Sequence, residues 1–237
     1  MEEYIFHGII SAEETHWWYC ARRELILRYI AGGKVLEIGC GTGNILLGIA
    51  KRCEEAIGVD PSLIAVKMSR NRVRQAGLEN VRLARADGLK LCFPDDSFGM
   101  VVCADVVEHL DDEYAFLSEV KRVLKPRGKA LITAPASKRL WSRLDDEAGH
   151  RRRYDIQILR SLLSDLGFAE IRIRYWNSIL FPVILLYRKL LNPGFARELA
   201  VGAPKQAINR LLYQLLKLEE RIILPFGASL LAVVRKV

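Results

Sequence analysis

The sequence predicts an α/β protein in which a doubly wound, mostly parallel sheet carries helices on both faces. Short apolar runs alternate along the chain with longer segments of helical periodicity, which is the order of repeated strand–helix–strand units. The first apolar run leads into a glycine-rich turn, and the second ends at an acidic residue. Such units connect parallel strands, so we expect helices to cover both faces of the sheet.

Seven strands are predicted from apolar runs bounded by glycine, proline or polar residues. They cover residues 34–39, 55–59, 80–85, 98–103, 129–134, 168–175 and 229–235. Helices are predicted at 13–30, 44–52, 61–75, 111–124, 155–165, 178–191 and 205–224. The last two helices interrupt the alternation, so residues 177–227 are predicted to form a helical insert before the last strand.

Capping residues support several of these boundaries. Pro61 and Ser62 suit the start of a helix, and Gly77 suits its end. Asp111 or Asp112 can cap the helix that follows the fourth strand.

Length and composition favour a single domain over residues 1–237. The chain is 51% hydrophobic and 27% charged, which excludes a wholly disordered protein. Its five cysteines form no CxxC pair and its four histidines are dispersed, so neither a disulfide framework nor a metal site is predicted. The acidic N-terminus is unlike a signal peptide, and no uncharged apolar run reaches about 18 residues, so we expect a cytoplasmic protein.

Positive charge is concentrated in the last third of the chain, which is also rich in large apolar residues. Residues 1–150 contain 21 basic and 22 acidic side chains, whereas residues 151–237 contain 15 basic and 6 acidic ones. A basic and apolar surface favours an acidic, lipid-linked acceptor or a membrane over nucleic acid. We therefore predict a peripheral membrane contact through residues 177–227. A dimer interface, an additional core layer or a solvated basic surface are the alternatives.

The glycine-rich turn, EIGCGTG at residues 37–43, has the composition of a loop that lets a ligand approach the backbone. Asp60 ends the second strand, where a carboxylate can accept both hydroxyls of a ribose. The dinucleotide fingerprint requires Gly or Ala at its sixth position, which is Asn44 here. A nicotinamide-dependent dehydrogenase is therefore disfavoured.

This turn and three further stretches resemble the class I S-adenosylmethionine-dependent methyltransferases of type 11 or 12. The stretches are ADG at 86–88 with LCFPDDSF at 91–98, ADVVEHL at 104–110, and VLKPRG at 123–128. The resemblance covers residues 33–135 and implies a seven-stranded Rossmann-like fold with S-adenosylmethionine as cofactor. Residues 1–30 and 136–227 would then supply lid and substrate elements. Gly99 and Arg127 depart from the family, which usually carries Asp and Gly there.

The resemblance implies a set of cofactor-binding residues. The glycine loop would line the methionine part of the cofactor, Asp60 would hold the ribose, and Asp87 would accept the adenine amino group. Ala104 and Asp105 would flank the methyl-donor end. The full set is Glu37, Gly39, Cys40, Gly41, Gly43, Asp60, Pro61, Ser62, Ala86, Asp87, Gly88, Ala104 and Asp105.

His109 is the predicted general base, with simple packing at a helix start as the alternative. Asp105 and Glu108 have the spacing of a capping box, so they are alternatively expected to stabilise the turn.

Two aromatic and basic clusters, HWWY at 16–19 and GHRRRY at 149–154, are the predicted substrate elements. They resemble a subgroup of the same methyltransferases. Arginines suit phosphate or carboxylate, and tryptophans suit a ring or a methylene chain. The predicted substrate residues are His16, Trp17, Trp18, Arg22, His150, Arg152 and Tyr154. Alternatively, the tryptophans pin the first helix to the core, and the arginines are solvated or pair with the acids at 145–147.

The predicted function is methyl transfer from S-adenosylmethionine to an unidentified small-molecule or lipid-linked acceptor. Neither a metal ion nor a nucleic-acid partner is expected. A non-catalytic adaptor that retains the fold is the main alternative. The oligomeric state is left open.

Overall fold

Seven strands form one sheet in the order β3-β2-β1-β4-β5-β7-β6. The computed structural model describes residues 10–190, 206–219 and 222–237. The strands are β1 Lys34–Ile38, β2 Glu55–Asp60, β3 Val81–Arg85, β4 Phe98–Ala104, β5 Leu124–Pro135, β6 Phe168–Trp176 and β7 Ser229–Lys236. The labelled helices are α1 Trp17–Leu27, α2 Asn44–Ala50, α3 Leu63–Gln75, α4 Glu113–Val123, α5 Arg143–Glu147, α6 Ile156–Asp165, α7 Phe181–Leu190 and α8 Gln206–Glu219.

The first five strands run parallel, and β7 is antiparallel to both of its neighbours, β5 and β6. This confirms the predicted fold class and the predicted number of strands. β1 and β4 are neighbours although they are not consecutive in the chain. Ligands of doubly wound sheets bind where the strand order reverses in this way, at the carboxyl ends of the strands.

The central strands are buried on both faces, because helices cover the sheet from both sides. Val35 packs with Leu25 and Leu46 on one face, whereas its neighbour Leu36 packs with Phe116 on the other. Because successive side chains point to opposite faces and both faces are buried, the sequences of these strands are continuous apolar runs.

The predicted N-terminal helix is divided at His16. Residues 10–15 are helical, and α1 then begins at Trp17. His16 has an extended backbone, and its Nδ1 accepts a hydrogen bond from the N–H of Trp18 at 3.2 Å. An N-cap residue has a non-helical backbone, so the preceding helix ends at His16. The periodicity of the sequence did not reveal this break.

The two departures from the family lie where β4 meets β5. The register shifts between Phe98 and Met100, around Gly99. Arg127 has a φ angle of +63°, a left-handed conformation that glycine adopts at no steric cost and other residues do not. The sequence also did not predict the short turns Val107–His109 and Lys138–Leu140, or α5.

The insert contains the two predicted helices, α7 and α8, within the described residues; residues 191–205 and 220–221 lie outside them. α8 is fixed to the N-terminal helices, because the Asn209 side chain accepts from the N–H of Trp17 at 2.8 Å and donates to the Thr15 carbonyl at 2.6 Å. The buried Glu219 carboxylate accepts from the N–H groups of Ser178 and Ile179. Insert and N-terminal helix are therefore packed as one unit. None of the described helices is long and apolar enough to cross a membrane.

Candidate functional site

The glycine-rich loop turns the chain from β1 into α2 through three positive φ angles. Gly39, Gly41 and Gly43 have φ angles of +73°, +51° and +87°. A Cβ on Gly39 would lie 2.6 Å from Cγ2 of Val106, and one on Gly43 would overlap the Ser69 hydroxyl. A Cβ on Gly41 would meet no atom within 4 Å. Packing therefore requires Gly39 and Gly43, whereas Gly41 borders open space.

Asp60 joins this loop to the start of α3. Its Oδ2 accepts a hydrogen bond from the N–H of Gly41 at 2.9 Å, and its Oδ1 accepts from the N–H of Ser62 at 2.8 Å. Each carboxylate oxygen has a second lone pair, so the group can still accept two hydroxyls. Pro61 is exposed, and the Ser62 hydroxyl caps α3.

Glu37 lies in β1 just before the loop, with 2% of its surface exposed. Its Oε2 has no hydrogen-bond partner among the described residues. Burial raises the pKa of this carboxyl well above its usual range, although the nearby charge of Arg22 opposes the shift. An unsatisfied buried carboxylate oxygen is costly, and a cationic ligand would satisfy it.

Cys40 contributes only its backbone to the loop surface. Its side chain is buried toward β2, where a Cβ on Gly58 would lie 3.0 Å from its Sγ. Burial raises the pKa of the thiol, and the charge of Glu37 raises it further. Cys40 is therefore a core residue with an unreactive thiol.

Asp105 follows Ala104 at the end of β4 and connects the sheet to α1. Its Oδ1 accepts from the Thr133 hydroxyl at 2.9 Å, and its Oδ2 accepts from Arg22. The Arg22 guanidinium lies 4.4 Å from the centre of the Trp18 ring, a cation–π contact. The spacing of Asp105 and Glu108 suggested a capping box, but the Asp105 carboxylate binds Thr133 and Arg22 instead.

The ADG stretch follows β3 at the same edge of the sheet. Asp87 is exposed, and its Oδ1 accepts from the N–H of Leu89 at 2.9 Å. A Cβ on Gly88 would lie 2.8 Å from Cε2 of Phe116, so this glycine is required by close packing. The half-buried Ala86 packs against the core on the same side as Phe116.

A cavity of about 430 Å³ lies beside Asp105, between α1, the segment after β5, and the insert. Most of its lining is apolar, and three arginines contribute the positive charge. The lining residues are His16, Trp17, Trp18, Tyr19, Arg22, Asp105, Glu108, Pro135, Leu140, Leu144, His150, Arg153, Asn177, Val183, Ile184, Arg188, Ala228 and Ser229.

Asp145 organises one wall of this cavity. Its buried carboxylate accepts from Nε of Arg153 at 2.8 Å and Nη1 of Arg188 at 2.8 Å, and it contacts Nδ1 of His150 at 3.0 Å. Burial by itself would raise the pKa of Asp145, but the hydrogen bond from His150 and the Arg153 charge lower it overall. One carboxylate thus balances two guanidinium groups, which leaves this wall positive.

Glu108 and His109 lie in the turn after β4. Glu108 is fully buried in the cavity wall, and neither carboxylate oxygen has a partner among the described residues. Burial raises its pKa to about 8. The His109 ring lies outside the cavity lining and packs edge-on against His150, with 4.9 Å between ring centroids. Burial and the neighbouring His150 lower the pKa of His109.

Residues 36–132, which include the glycine loop, Asp60 and Asp105, match the family described as a methyltransferase domain. The chain contains a methyltransferase domain. This match over residues 36–132 confirms the predicted resemblance of that part of the chain to the S-adenosylmethionine-dependent methyltransferases.

Two curated relatives match the same part of the chain. The uncharacterized methyltransferase YcgJ of Bacillus subtilis is 36% identical over 99 residues, which is 42% of this chain and 39% of that protein. The ubiquinone/menaquinone biosynthesis C-methyltransferase UbiE of Geobacter sulfurreducens is 35% identical over 127 residues, 50% of this chain and 48% of that one. The chain thus spans less than half the length of either relative.

A solved structure extends the likeness of fold to nearly the whole chain. It is an S-adenosylmethionine-dependent methyltransferase of Thermotoga maritima, with a TM-score of 0.68 over 99% of this chain and 97% of that one. Its sequence is 17% identical, so this comparison concerns the fold alone.

The fold brings the predicted cofactor residues of the methyltransferase domain to one edge of the sheet, at the ends of β1, β2, β3 and β4. Their roles in binding stay predictions. Five predicted substrate residues line the cavity: His16, Trp17, Trp18, Arg22 and His150. The other two do not. Arg152 binds Glu113 and the Leu110 carbonyl, and Tyr154 is buried in the core.

Three charged residues of the cavity lining, Glu108, Arg153 and Arg188, were not among the predicted site residues. Neither was Asp145, which lies behind the lining and pairs with both arginines. The run of acids at 145–147 followed by arginines at 151–153 was the available signal. One alternative predicted from the sequence is that these arginines pair with the acids at 145–147, and Arg153 does pair with Asp145. Arg188, which also pairs with Asp145, comes from the insert. Arg151 instead pairs with Asp111 on the surface.

Proposed function

We propose that this chain transfers a methyl group from S-adenosylmethionine to an acceptor that has both an acidic group and an apolar part. The observation that carries the proposal is the cavity beside Asp105, with its apolar walls and three arginines. Val106, the residue next to Asp105, packs directly on Gly39 of the glycine loop. The acceptor cavity and the cofactor site are therefore adjacent.

The residues present fit the cofactor. The unsatisfied Oε2 of Glu37 suits the cofactor's ammonium group, and the open space beside Gly41 lets its backbone approach a ligand. Asp60 retains lone pairs for the ribose hydroxyls, and no described residue donates to Oδ2 of Asp87, which suits the adenine amino group. Leu63 follows the Ser62 cap and is 48% exposed, which suits a side chain that covers a flat ring.

S-adenosylmethionine, when bound, supplies a methyl group on a positively charged sulfonium. Transfer is an in-line displacement that disperses this charge, so a dry pocket that orients both reactants accelerates it. Trp18, Leu144 and Ile184 give the cavity apolar walls, which favour the displacement of water by an apolar acceptor.

Arg188 is the residue that we propose to bind the acidic group. Among the described residues only its Nη1 makes hydrogen bonds, to Leu140, Ser142 and Asp145. Its Nη2 and Nε remain for a phosphate or carboxylate, which such a fork binds in bidentate fashion. The relative named for ubiquinone and menaquinone biosynthesis is consistent with an acceptor that has an apolar chain.

The test is transfer of labelled methyl groups from S-adenosylmethionine to a cell extract divided into aqueous and organic fractions. We expect label in the organic fraction, and at least a tenfold loss in kcat/KM for Arg188→Gln, through KM. Arg188→Lys should recover part of it, and Arg151→Gln, on the surface, should have no effect. Label confined to the aqueous fraction would contradict a lipid-linked acceptor. Binding of the cofactor with no acceptor in either fraction would favour the adaptor.

We further propose that the insert contacts an anionic membrane. The insert exposes large apolar side chains: Val183, Leu186, Ile208, Leu211, Leu218, Ile222, Ile223 and Phe226. Val183 is 64% exposed and also lines the cavity, so the cavity opens toward this surface. An apolar surface within the basic part of the chain suits an anionic bilayer.

Co-sedimentation with vesicles tests this contact. We expect binding to phosphatidylglycerol vesicles and not to phosphatidylcholine vesicles. Leu186→Asp and Ile223→Asp should each weaken binding about tenfold, since burying such a side chain stabilises by roughly 1.5–3 kcal/mol. Tyr114→Asp, an exposed position on α4, is the control. Equal sedimentation of all variants would refute the contact.

A further inference from the structure

We infer that Glu108, His109 and His150 form a binding site for a divalent transition-metal ion in the wall of the acceptor cavity. One ligand atom from each residue, an imidazole nitrogen or a carboxylate oxygen, lies within 4.8 Å of the other two. This site goes beyond the proposed methyl transfer, because it can bind a metal ion whether or not an acceptor is found.

The fold holds the two segments of this site together. Glu108 and His109 lie in the turn after β4, whereas His150 follows α5. The backbone N–H of Arg151 donates to the Glu108 carbonyl at 2.8 Å, and its side-chain Nε donates to the His109 carbonyl at 3.2 Å. Histidines that are dispersed in the sequence thus become neighbours through long-range contacts.

Both histidines are oriented as metal ligands commonly are. Nδ1 of His150 contacts Oδ1 of Asp145 at 3.0 Å, and the His109 ring hydrogen-bonds the backbone of Gly149. Metal-binding imidazoles usually donate one ring N–H to a carboxylate or a carbonyl, which fixes the ring and leaves the other nitrogen for the metal. Each ring here has one nitrogen engaged in this way.

Glu108 provides an independent indication of a missing ligand. Its side chain is fully buried, and both oxygens lack partners among the described residues. A carboxylate in this state costs free energy that a bound cation would recover. Arg22 and Arg153 also face Glu108, but each already pairs with an aspartate, Arg22 with Asp105 and Arg153 with Asp145.

Two imidazoles and one carboxylate are the ligand set of open zinc sites and of related first-row metal sites. Metal–ligand distances of about 2.1 Å place tetrahedral ligands roughly 3.4 Å apart, so ligand atoms that are 4.8 Å apart must approach by about 1.4 Å. His109 is exposed, so a small tilt of its side chain that keeps the Gly149 contact can provide part of this approach. Glu108 and His150 line the cavity, so the remaining coordination positions would be open to a ligand in the cavity.

Cobalt titration of the full chain, after removal of metals with EDTA, tests the site. We expect saturable visible absorption from one Co²⁺ bound to nitrogen and oxygen ligands, and its displacement by Zn²⁺. Glu108→Gln, His109→Ala and His150→Ala should each weaken Co²⁺ binding at least tenfold. His109 is exposed, so its variant tests the site even where the buried substitution prevents folding.

Two controls address adventitious binding. His16→Asn replaces another cavity histidine while preserving a side chain that can cap α1, and Cys92→Ser removes an exposed thiol. Both should bind Co²⁺ like the unmodified chain. Calorimetry with S-adenosylmethionine on the same samples separates this proposal from the proposed function. Absence of saturable Co²⁺ binding, or equal binding by the three site variants, would overturn the metal site and leave methyl transfer intact.

Discussion

Asp145 accepts a hydrogen bond from Arg188 at 2.8 Å, and this contact ties the segment after β5 to the first helix of the insert. The same carboxylate holds Arg153, whose side chain is 4% exposed. One acidic residue therefore positions two of the three arginines of the cavity.

Asp145→Asn should destabilise the protein by about 3–5 kcal/mol at pH 7, because it leaves the buried Arg153 without its counter-charge. Urea unfolding measures the loss. Asp146→Asn is the matched control, since Asp146 is exposed and its side chain makes one hydrogen bond among the described residues, from Trp141. Equal stability of the two variants would contradict the assigned role of Asp145.

The same pair of proteins should show a defined pH dependence. The folded state lowers the pKa of Asp145 below its unfolded value of about 3.9. Its contribution to stability is therefore complete above about pH 4 and is lost as the pH falls through the lower folded pKa. The difference in unfolding free energy between the unmodified chain and Asp145→Asn should be constant from about pH 5 to about pH 7. It should shrink only in stronger acid. A difference that already shrinks near pH 6 would contradict this account of Asp145.

Asp60→Asn should weaken binding of S-adenosylmethionine at least tenfold, or about 1.4 kcal/mol. Two backbone N–H groups point at the Asp60 carboxylate, from Gly41 and from Ser62, so an amide must turn its NH₂ toward one of them. Calorimetry measures the affinity, and Asp95→Asn on the surface is the control. Binding of NAD by the unmodified chain would instead favour a nicotinamide-dependent dehydrogenase.

Alanine at two positions of the glycine loop should have different effects, mainly on cofactor binding at Gly41 and mainly on stability at Gly43. Gly41→Ala adds a methyl group in open space, so it should weaken cofactor binding and cost only about 1 kcal/mol of stability for its positive φ. Gly43→Ala collides with the buried Ser69 and should destabilise the protein by about 2 kcal/mol or more. Adding Ser69→Ala should recover part of that loss. Calorimetry and urea unfolding on each variant make the comparison.

Thiol labelling should separate the cysteines by burial. Cys92 is exposed and should react first with a disulfide reagent near pH 8. Cys40 and Cys103 are buried, and burial raises the pKa of both thiols, so little reactive thiolate is present. They should react only on unfolding, and Cys92→Ser should remove the fast phase. Fast labelling of Cys40 would mean that the glycine loop opens in the folded protein.

The order of strands and helices could be predicted because it depends on local patterns. Apolar runs bounded by glycine, proline and polar residues indicated all seven strands, and the caps at Ser62 and Asp112 set helix starts close to those observed. His16 was the exception, since a capping histidine within a continuous helical pattern carries no periodic signal.

The edge of the sheet that carries the glycine loop and Asp60 could also be predicted from the sequence alone, whereas the cavity beside Asp105 could not. The glycine loop and Asp60 follow successive strands, and parallel strands bring their carboxyl ends to one edge of a sheet. The charge of the cavity depends instead on which of the neighbouring arginines at 151–153 has its side chain in the cavity lining. Arg153 does and Arg152 does not, because Asp145 and Glu113 lie on different sides of that segment. Arg188 arrives from the insert, 43 residues from Asp145, and only the packing of distant elements could place it there.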